Sequence, residues 1–427
     1  MSTVIVGMGK IGLPLANLVA SKGISVVGYD IDSELVKELS QGTVSRVFEP
    51  GLSESIEKLV GAGLLNFTTD LSEPMRDAKT IVVVVPLYVN QDSKPDFSSF
   101  DEALEQVGKH LIEGALVTIE TTVPLGTTRN RAATILSKNS GLSAGDDFLL
   151  AFSPERVSSG TFDRDMSRYP KLVGGINRES TETAARFYES FIDFSKREDL
   201  SRPNGVWRME SSESAEFTKL AETTYRDVNI ALANSFGRDA KENNLNIWEI
   251  IEAANSQPFS HIHSPGISVG GHCIPVYPHL YMESSSNDEL ISLARKTNKG
   301  MPAKAVEEIE MKLGNLSGLR VCILGISYRS GVKESAFSGA LDLRDEIQKR
   351  DGIVLAMDPL YTEDEILDLG FLPFERGSQC DVVILHTSHP SYEELVPTDF
   401  GGLRLVLNGR GNSLFGPNEE VEEINLF

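Results

Sequence analysis

Apolar positions along the chain follow two periods. Short, nearly unbroken β-branched runs occur at residues 3–7 (TVIVG), 25–29 (SVVGY), 81–86 (IVVVVP) and 115–120 (ALVTIE). Runs of this length read as strands buried on both faces of a parallel sheet. Between them the spacing becomes helical, from Leu13 to Ser21 and again from about Ser99. Strands alternating with helices predict βαβ units and a doubly wound sheet. Residues 195–212 are polar and broken by Pro203 and Gly205, which marks a boundary.

Beyond it, Phe217, Leu220, Ala221, Thr224, Val228, Ala231 and Leu232 recur at helical spacing. They predict a long helix over about 214–243. A second helix near 247–254 leads to a Gly/Pro-rich loop at 264–278. The last third is again α/β, with strands expected at 320–325, 353–357, 382–386 and 404–407 and helices near 302–313 and 338–350. The pattern thus predicts an α/β fold class. Two Rossmann-like, doubly wound parallel-sheet domains, 1–200 and 301–427, are joined by a helical middle domain, 201–300, with a long central helix.

Composition narrows the partners. The 427 residues are 40% hydrophobic and 24% charged, ordinary for a chain with large cores. Acidic residues number 62 against 40 basic, for a net charge of −22. Such a field repels nucleic acid and anionic membrane surfaces, so neither is expected as a partner. A salt-rich habitat would account for the acidity equally well. An anionic ligand must then be held by particular Arg, Lys and backbone N–H groups. The three cysteines, Cys273, Cys322 and Cys380, are too few and too odd for a disulfide framework, and they fit a reducing compartment. No ligand spacing suggests a metal. Met-Ser-Thr runs straight into a strand with no basic and apolar stretch, so no leader is expected. No apolar run approaches the ~20 residues of a membrane span. A cytoplasmic location is expected.

The first candidate site is Gly7-Met-Gly9-Lys10-Ile11-Gly12, a GxGxxG loop directly after a strand and directly before a helix. Gly7 permits the tight turn, Gly9 lets a pyrophosphate approach the backbone, and Gly12 permits close helix–strand packing. The helix N-terminus offers free N–H groups to phosphate. Asp30 closes the second strand, eighteen residues after Gly12. It can accept hydrogen bonds from ribose hydroxyls and would repel a 2′-phosphate, favouring NAD over NADP. A glycine-rich loop alone means little. Strand, glycines, helix and distal acid in this order predict dinucleotide binding.

The second is Gly270-Gly271-His272-Cys273, followed by Pro275 and Pro278. Its glycines permit close backbone approach, and its cysteine would lie exposed beside His272. Most cysteines are buried and inert, the reading assigned to Cys322 and Cys380. Beside a nicotinamide site, a nucleophilic Cys273 suggests a specific chemistry. An alcohol becomes an aldehyde, the thiolate adds, a second oxidation gives a thioester, and water releases an acid. That sequence needs a base and an oxyanion donor.

These segments are joined in order by Glu49-Pro-Gly-Leu52, Glu120-Thr-Thr-Val-Pro-Leu-Gly126, Ser153-Pro-Glu-Arg-Val157 and the run Lys219–Asn229. Together with the two glycine loops they resemble the UDP-sugar dehydrogenase family across essentially the whole chain. These are four-electron NAD-dependent enzymes acting on UDP-glucose, UDP-N-acetylglucosamine or UDP-N-acetylmannosamine. The resemblance implies that Cys273 is the nucleophile, Lys219 the oxyanion stabiliser, and Glu155 the base working through water. Thr122 lies near that water, and Pro86 forms the turn beside the nicotinamide. It also implies that Arg156, Gly270, Gly271 and Tyr277 border the substrate. The last domain would bind uridine diphosphate through Arg329, Lys333 and Arg410. The long helix resembles a homodimer core. Taken singly, a helix lysine, a surface glutamate or a surface arginine is ordinarily just a solvated charge.

Three positions depart from the family pattern. Tyr277 stands where an aspartate is usual, Thr223 where an asparagine is usual, and Lys333-Glu-Ser335 where an Arg-Glu-Ser element is usual. A phenol is neutral at pH 7, so Tyr277 can donate a hydrogen bond but supplies no negative charge. Thr223 retains a hydroxyl with shorter reach. GlyGlyHisCys and Tyr225–Ala231 resemble the branch acting on UDP-N-acetylhexosamines, with UDP-glucose as the alternative. Two other classes compete. One is a two-electron hydroxyacid-type dehydrogenase with Lys219 as acid/base. The other is a nucleotide-sugar sensor that has lost turnover.

Overall fold

The computed structural model describes residues 2–90, 92–411, 413–416 and 421–427. The chain forms two compact units. The first comprises residues up to Glu222 together with His279–Ser284, and the second Thr223–Pro278 together with Ser285–Phe427.

The first unit holds β1 (Ser2–Val6), β2 (Ser25–Tyr29), β3 (Leu65–Thr68) and β4 (Ala78–Val83). A small antiparallel ribbon follows, β5 (Tyr88–Val89) with β6 (Pro95–Asp96). Then come β7 (Leu116–Ile119), β8 (Leu149–Phe152), β9 (Lys171–Gly175) and β10 (Val206–Arg208). Eight strands form one sheet in the order β10-β9-β8-β7-β4-β1-β2-β3. The predicted parallel, doubly wound topology holds except between β8 and β9, which run antiparallel. The chain winds outward from β1 through β2 to β3 and returns to lay β4 on the other side of β1. Strand order therefore reverses between β1 and β4, and it is beyond the carboxyl ends of such a switch point that sheets of this kind bind ligands.

One expectation is corrected here. Residues 195–212 are more than a boundary, because β10 within them adds an edge strand to the sheet. It spans three residues and carries no apolar run. Its Trp207 ring lies under the Arg202 guanidinium at 4.0 Å instead of in a core.

The second unit repeats the scheme with six parallel strands. They are β11 (Arg320–Leu324), β12 (Ile353–Met357), β13 (Leu372–Pro373), β14 (Val382–Leu385), β15 (Leu405–Asn408) and β16 (Glu422–Asn425), in the order β13-β12-β11-β14-β15-β16. Order reverses between β11 and β14. Gly325 follows β11 as Gly7 follows β1, and both have positive φ. Asp358 follows β12 as Asp30 follows β2. Its carboxylate accepts the Ile326 and Ser327 N–H groups at 2.8 and 2.9 Å.

The predicted long helix is Ser212–Glu242, 31 residues, about 46 Å at 1.5 Å per residue. The following helix, Ile247–Asn255, is capped by the Asn246 side chain, which accepts the Trp248 N–H at 2.9 Å. Among the described residues no helix is long and apolar enough to cross a membrane.

Candidate active site

Gly7 turns the chain out of β1 with φ of +100°, and its N–H bonds the Tyr29 carbonyl at 2.8 Å. A Cβ on Gly12 would lie 1.8 Å from the Gly7 carbonyl oxygen, so only glycine lets the helix start this close to the strand. A Cβ on Gly9 would meet nothing within 4 Å. Gly9 and Lys10 are exposed at the tip of the turn. The helix Gly12–Ser21 begins after Ile11 without any side-chain cap. In its first turn the Leu13 N–H bonds the Gly9 carbonyl at 3.1 Å and Pro14 carries none, so Gly12 at the turn itself is the N–H that faces a ligand. Asp30 accepts the Met8 N–H at 2.8 Å and the Asp32 N–H at 3.0 Å, which aims its carboxylate along the glycine loop. Pro86 is exposed just beyond β4, and the neighbouring Val85 carbonyl accepts the Thr121 hydroxyl at 2.6 Å. Open space at Gly9, an uncapped helix start and an acid at the end of β2 fit a dinucleotide.

A second cluster of the first unit surrounds Glu155, just past β8. Burial raises the affinity of its carboxyl for a proton, while Lys219, the Val157 N–H and Lys171 oppose this. Lys219 is buried on the long helix, and Glu222, one turn on, lies 3.7 Å from its ammonium. Arg156 is partly buried and already engaged. It donates to Glu222 at 2.8 and 3.0 Å and to the Pro170 carbonyl at 3.0 Å. Thr122 is buried in the loop after β7. Glu216, one turn before Lys219, grips the end of that loop through the Gly126 and Thr128 N–H groups at 2.6 and 2.8 Å. Burial pushes the Glu216 carboxyl up to about 7.

Three groups here escaped the sequence reading: Glu120, Lys171 and Tyr188. Lys171 and Glu120 form an ion pair at 2.9 Å, with side chains only 4% and 2% exposed. The Tyr188 hydroxyl donates to the same carboxylate at 2.6 Å. A signal existed in Lys171, a charge opening the apolar run KLVGG, and in Glu120, which ends a buried strand.

The cysteine loop belongs to the second unit. Cys273 is partly exposed, whereas Cys322 and Cys380 are buried, as expected for inert thiols. Gly271 has φ of +87°, and its N–H bonds the Ala336 carbonyl at 3.2 Å. Gly270 and Gly271 pack against Tyr328. His272 lies 3.5 Å from Glu334 and meets the Phe337 ring edge-on. The Cys273 carbonyl accepts the Tyr277 N–H at 2.9 Å, where Tyr277 opens a short helix. Thr223 is fully buried on the long helix.

Of the basic candidates, Arg329 is exposed near the Tyr328 ring, and Lys333 pairs with Glu365 at 2.5 Å. Arg410 differs from both. It donates to the His386 carbonyl at 2.5 Å and lies 3.4 Å from the Thr387 hydroxyl. Burial weakens its hold on its proton, and among the described residues no carboxylate pairs with it. A half-sheltered guanidinium without a counter-ion is a ready partner for an anion.

Comparisons with known proteins agree with this layout. Residues 1–192 match the NAD binding domain of the UDP-glucose/GDP-mannose dehydrogenase family, and residues 213–300 match that family's central domain. A UDP-N-acetyl-D-mannosamine dehydrogenase of Pyrococcus horikoshii is 33% identical over 96% of this chain and 95% of its own. The solved structure of UDP-D-ManNAc dehydrogenase from Pyrococcus horikoshii superposes with a TM-score of 0.88 at 30% identity, covering 100% of this chain and 99% of that one. A UDP-N-acetyl-mannosamine dehydrogenase structure from Staphylococcus aureus does so with a TM-score of 0.84 at 28% identity, covering 100% and 98%. The chain belongs to the UDP-glucose/GDP-mannose dehydrogenase family and is an NAD-dependent oxidoreductase.

Proposed function

We propose that the protein oxidises the C6 alcohol of a UDP-N-acetylhexosamine, UDP-N-acetylmannosamine first, to the uronic acid through a covalent intermediate on Cys273. The observation that carries this reading is the partial exposure of Cys273 alone among the three thiols, on a loop whose two glycines pack closely against Tyr328. The relatives' names supply the substrate class.

In this account Gly7, Gly9, Lys10, Ile11, Gly12, Asp30, Pro86 and Thr122 would hold the dinucleotide, and two NAD molecules bound in turn would each supply the acceptor for one hydride. The alcohol gives up a hydride and, through water, a proton to Glu155, leaving the aldehyde. The Cys273 thiolate adds to the carbonyl carbon, and Lys219 steadies the oxyanion. Loss of a second hydride leaves a thioester. Water, deprotonated through Glu155 beside Thr122, attacks it, breaking the C–S bond and returning the thiolate. Thr223 offers its hydroxyl where an amide is usual. Arg156, Gly270, Gly271 and Tyr277 border the sugar. Arg329, Lys333 and Arg410 face the diphosphate, with the uncompensated Arg410 contributing most and Lys333 exchanging Glu365 for it.

The same reading divides the chain at about 200 and 300 into a cofactor domain, a dimerisation middle and a UDP-sugar domain, and places it in the cytoplasm. A homodimer through the long helix is supported by Phe217, Tyr225, Leu232 and Phe236. Each is at least 40% exposed, and together they fall within an arc of about 100°.

The test is steady-state kinetics of purified protein with NAD and UDP-N-acetylmannosamine, UDP-N-acetylglucosamine or UDP-glucose. The expected order puts UDP-N-acetylmannosamine highest in kcat/KM. A preference for UDP-glucose of about tenfold, some 1.4 kcal/mol, would reassign the substrate. Tight binding without NADH formation would favour a sensor.

A further inference from the structure

We propose that the buried Lys171–Glu120 pair is the positioning device for Glu155. This rests on the reading of Glu155 as the base. Lys171 lies on β9, and its ammonium is within 3.3 Å of the Ser153 carbonyl and 3.4 Å of the Pro154 carbonyl. Those are the two residues directly before Glu155. From the other side, the Glu155 N–H bonds the carbonyl of Glu120 at 3.4 Å. The Lys171 ammonium therefore holds the backbone leading into the base, the Glu120 carboxylate fixes that ammonium at 2.9 Å, and the Glu120 backbone anchors the base from the other side. Tyr188 completes the frame. Its hydroxyl bonds Glu120 at 2.6 Å, and the Lys171 ammonium lies 4.6 Å from its ring centroid.

Stability alone is a poor account of this arrangement. Taking both charges out of water costs several kcal/mol per ion, and apolar replacements of equal volume are often no worse. What an apolar pair cannot do is grip two carbonyls and place a fixed positive charge near a carboxylate. The charged groups facing Glu155 are Lys219 from the long helix, Lys171 from β9 and Glu120 from the end of β7. Both lysines favour the ionised base, and Lys171 outweighs the opposing Glu120. Removing the pair should loosen the base and raise the pH at which it becomes active.

The experiment measures pH profiles of kcat and KM for the full-length enzyme with NAD and its best UDP-sugar. The double variant Lys171→Met/Glu120→Gln removes the two charges together, so neither is left unpaired. It should keep KM within about threefold and lose roughly tenfold to a hundredfold in kcat. The acid limb of its profile should move to higher pH. Tyr188→Phe keeps the ring and removes only the hydroxyl. It should lower kcat by several-fold at unchanged KM, and it decides the matter if the double variant does not fold. Wild-type kcat and an unmoved acid limb in either folded variant would overturn the proposal. Glu155→Gln separates the two claims. If it turns over normally, the base assignment itself fails. If it is inactive while the other variants behave as wild type, only the positioning role fails.

Discussion

Tyr328 occupies the space that a side chain on Gly270 would need. A Cβ there would lie 2.5 Å from the Tyr328 Cβ and 3.0 Å from the Phe337 carbonyl oxygen. One residue on, a Cβ on Gly271 would lie 3.2 Å from the same ring. The loop to Cys273 is thereby pressed flat onto the segment after β11. Gly270→Ala should displace it and lower kcat/KM by about a hundredfold, since a misplacement of about 1 Å is costly. Overpacking should also cost roughly 1–3 kcal/mol of stability. Kinetics and thermal unfolding check both, and unchanged kcat/KM would show that the loop position is irrelevant.

Asp30 binds two backbone N–H groups and leaves acceptor capacity facing the glycine loop. Asp30→Asn keeps one acceptor but loses the charge. A hydrogen bond to a charged group contributes about 1.5–3 kcal/mol, so KM for NAD should rise tenfold or more. Activity with NADP relative to NAD should increase, because the repulsion of a 2′-phosphate is gone. Cofactor kinetics of the variant with both dinucleotides measure this.

Two buried groups give stability opposite slopes with pH. His386 lies beside Arg410, with one ring nitrogen 2.8 Å from the Gly325 carbonyl and the other 3.2 Å from the Ser268 hydroxyl. Burial pushes it down from 6.5 to about 3. The unfolded chain then binds the extra proton, so this contribution is full above pH 6.5 and is lost as pH falls toward 3. Glu216 is raised from 4.5 to about 7 by burial, so the folded chain holds the extra proton. Its contribution is full below pH 4.5 and is lost as pH rises toward 7. Thermal unfolding from pH 4 to 8 should therefore separate the variants. His386→Asn should lose less stability than wild type on acidification, and Glu216→Gln should lose less on going from pH 4.5 to 7. Parallel curves for wild type and both variants would show that neither group titrates this way.

Much of the fold was legible because buried parallel strands are written as continuous β-branched runs. The runs at 25–29 and 353–357 coincide with β2 and β12. The glycine loop and Asp30 were legible because their chemistry is local in sequence. The short strands β10, β13 and β16 were not, since each has two to four residues and no apolar run. The frame around Glu155 was also hidden. Lys171, Glu120 and Tyr188 come from different elements, and no periodicity brings them together. Lys333 taught the converse lesson, since a lysine chosen for phosphate has Glu365 beside it.

The central claim is a four-electron oxidation through one sulfur. It is tested most directly by counting NADH formed per UDP-sugar consumed, for the wild type and for Cys273→Ser, with the acid product quantified. The account predicts two NADH and one acid per sugar in the wild type, and no acid from the variant. One NADH per sugar, or a wild-type yield of acid from Cys273→Ser, would contradict it.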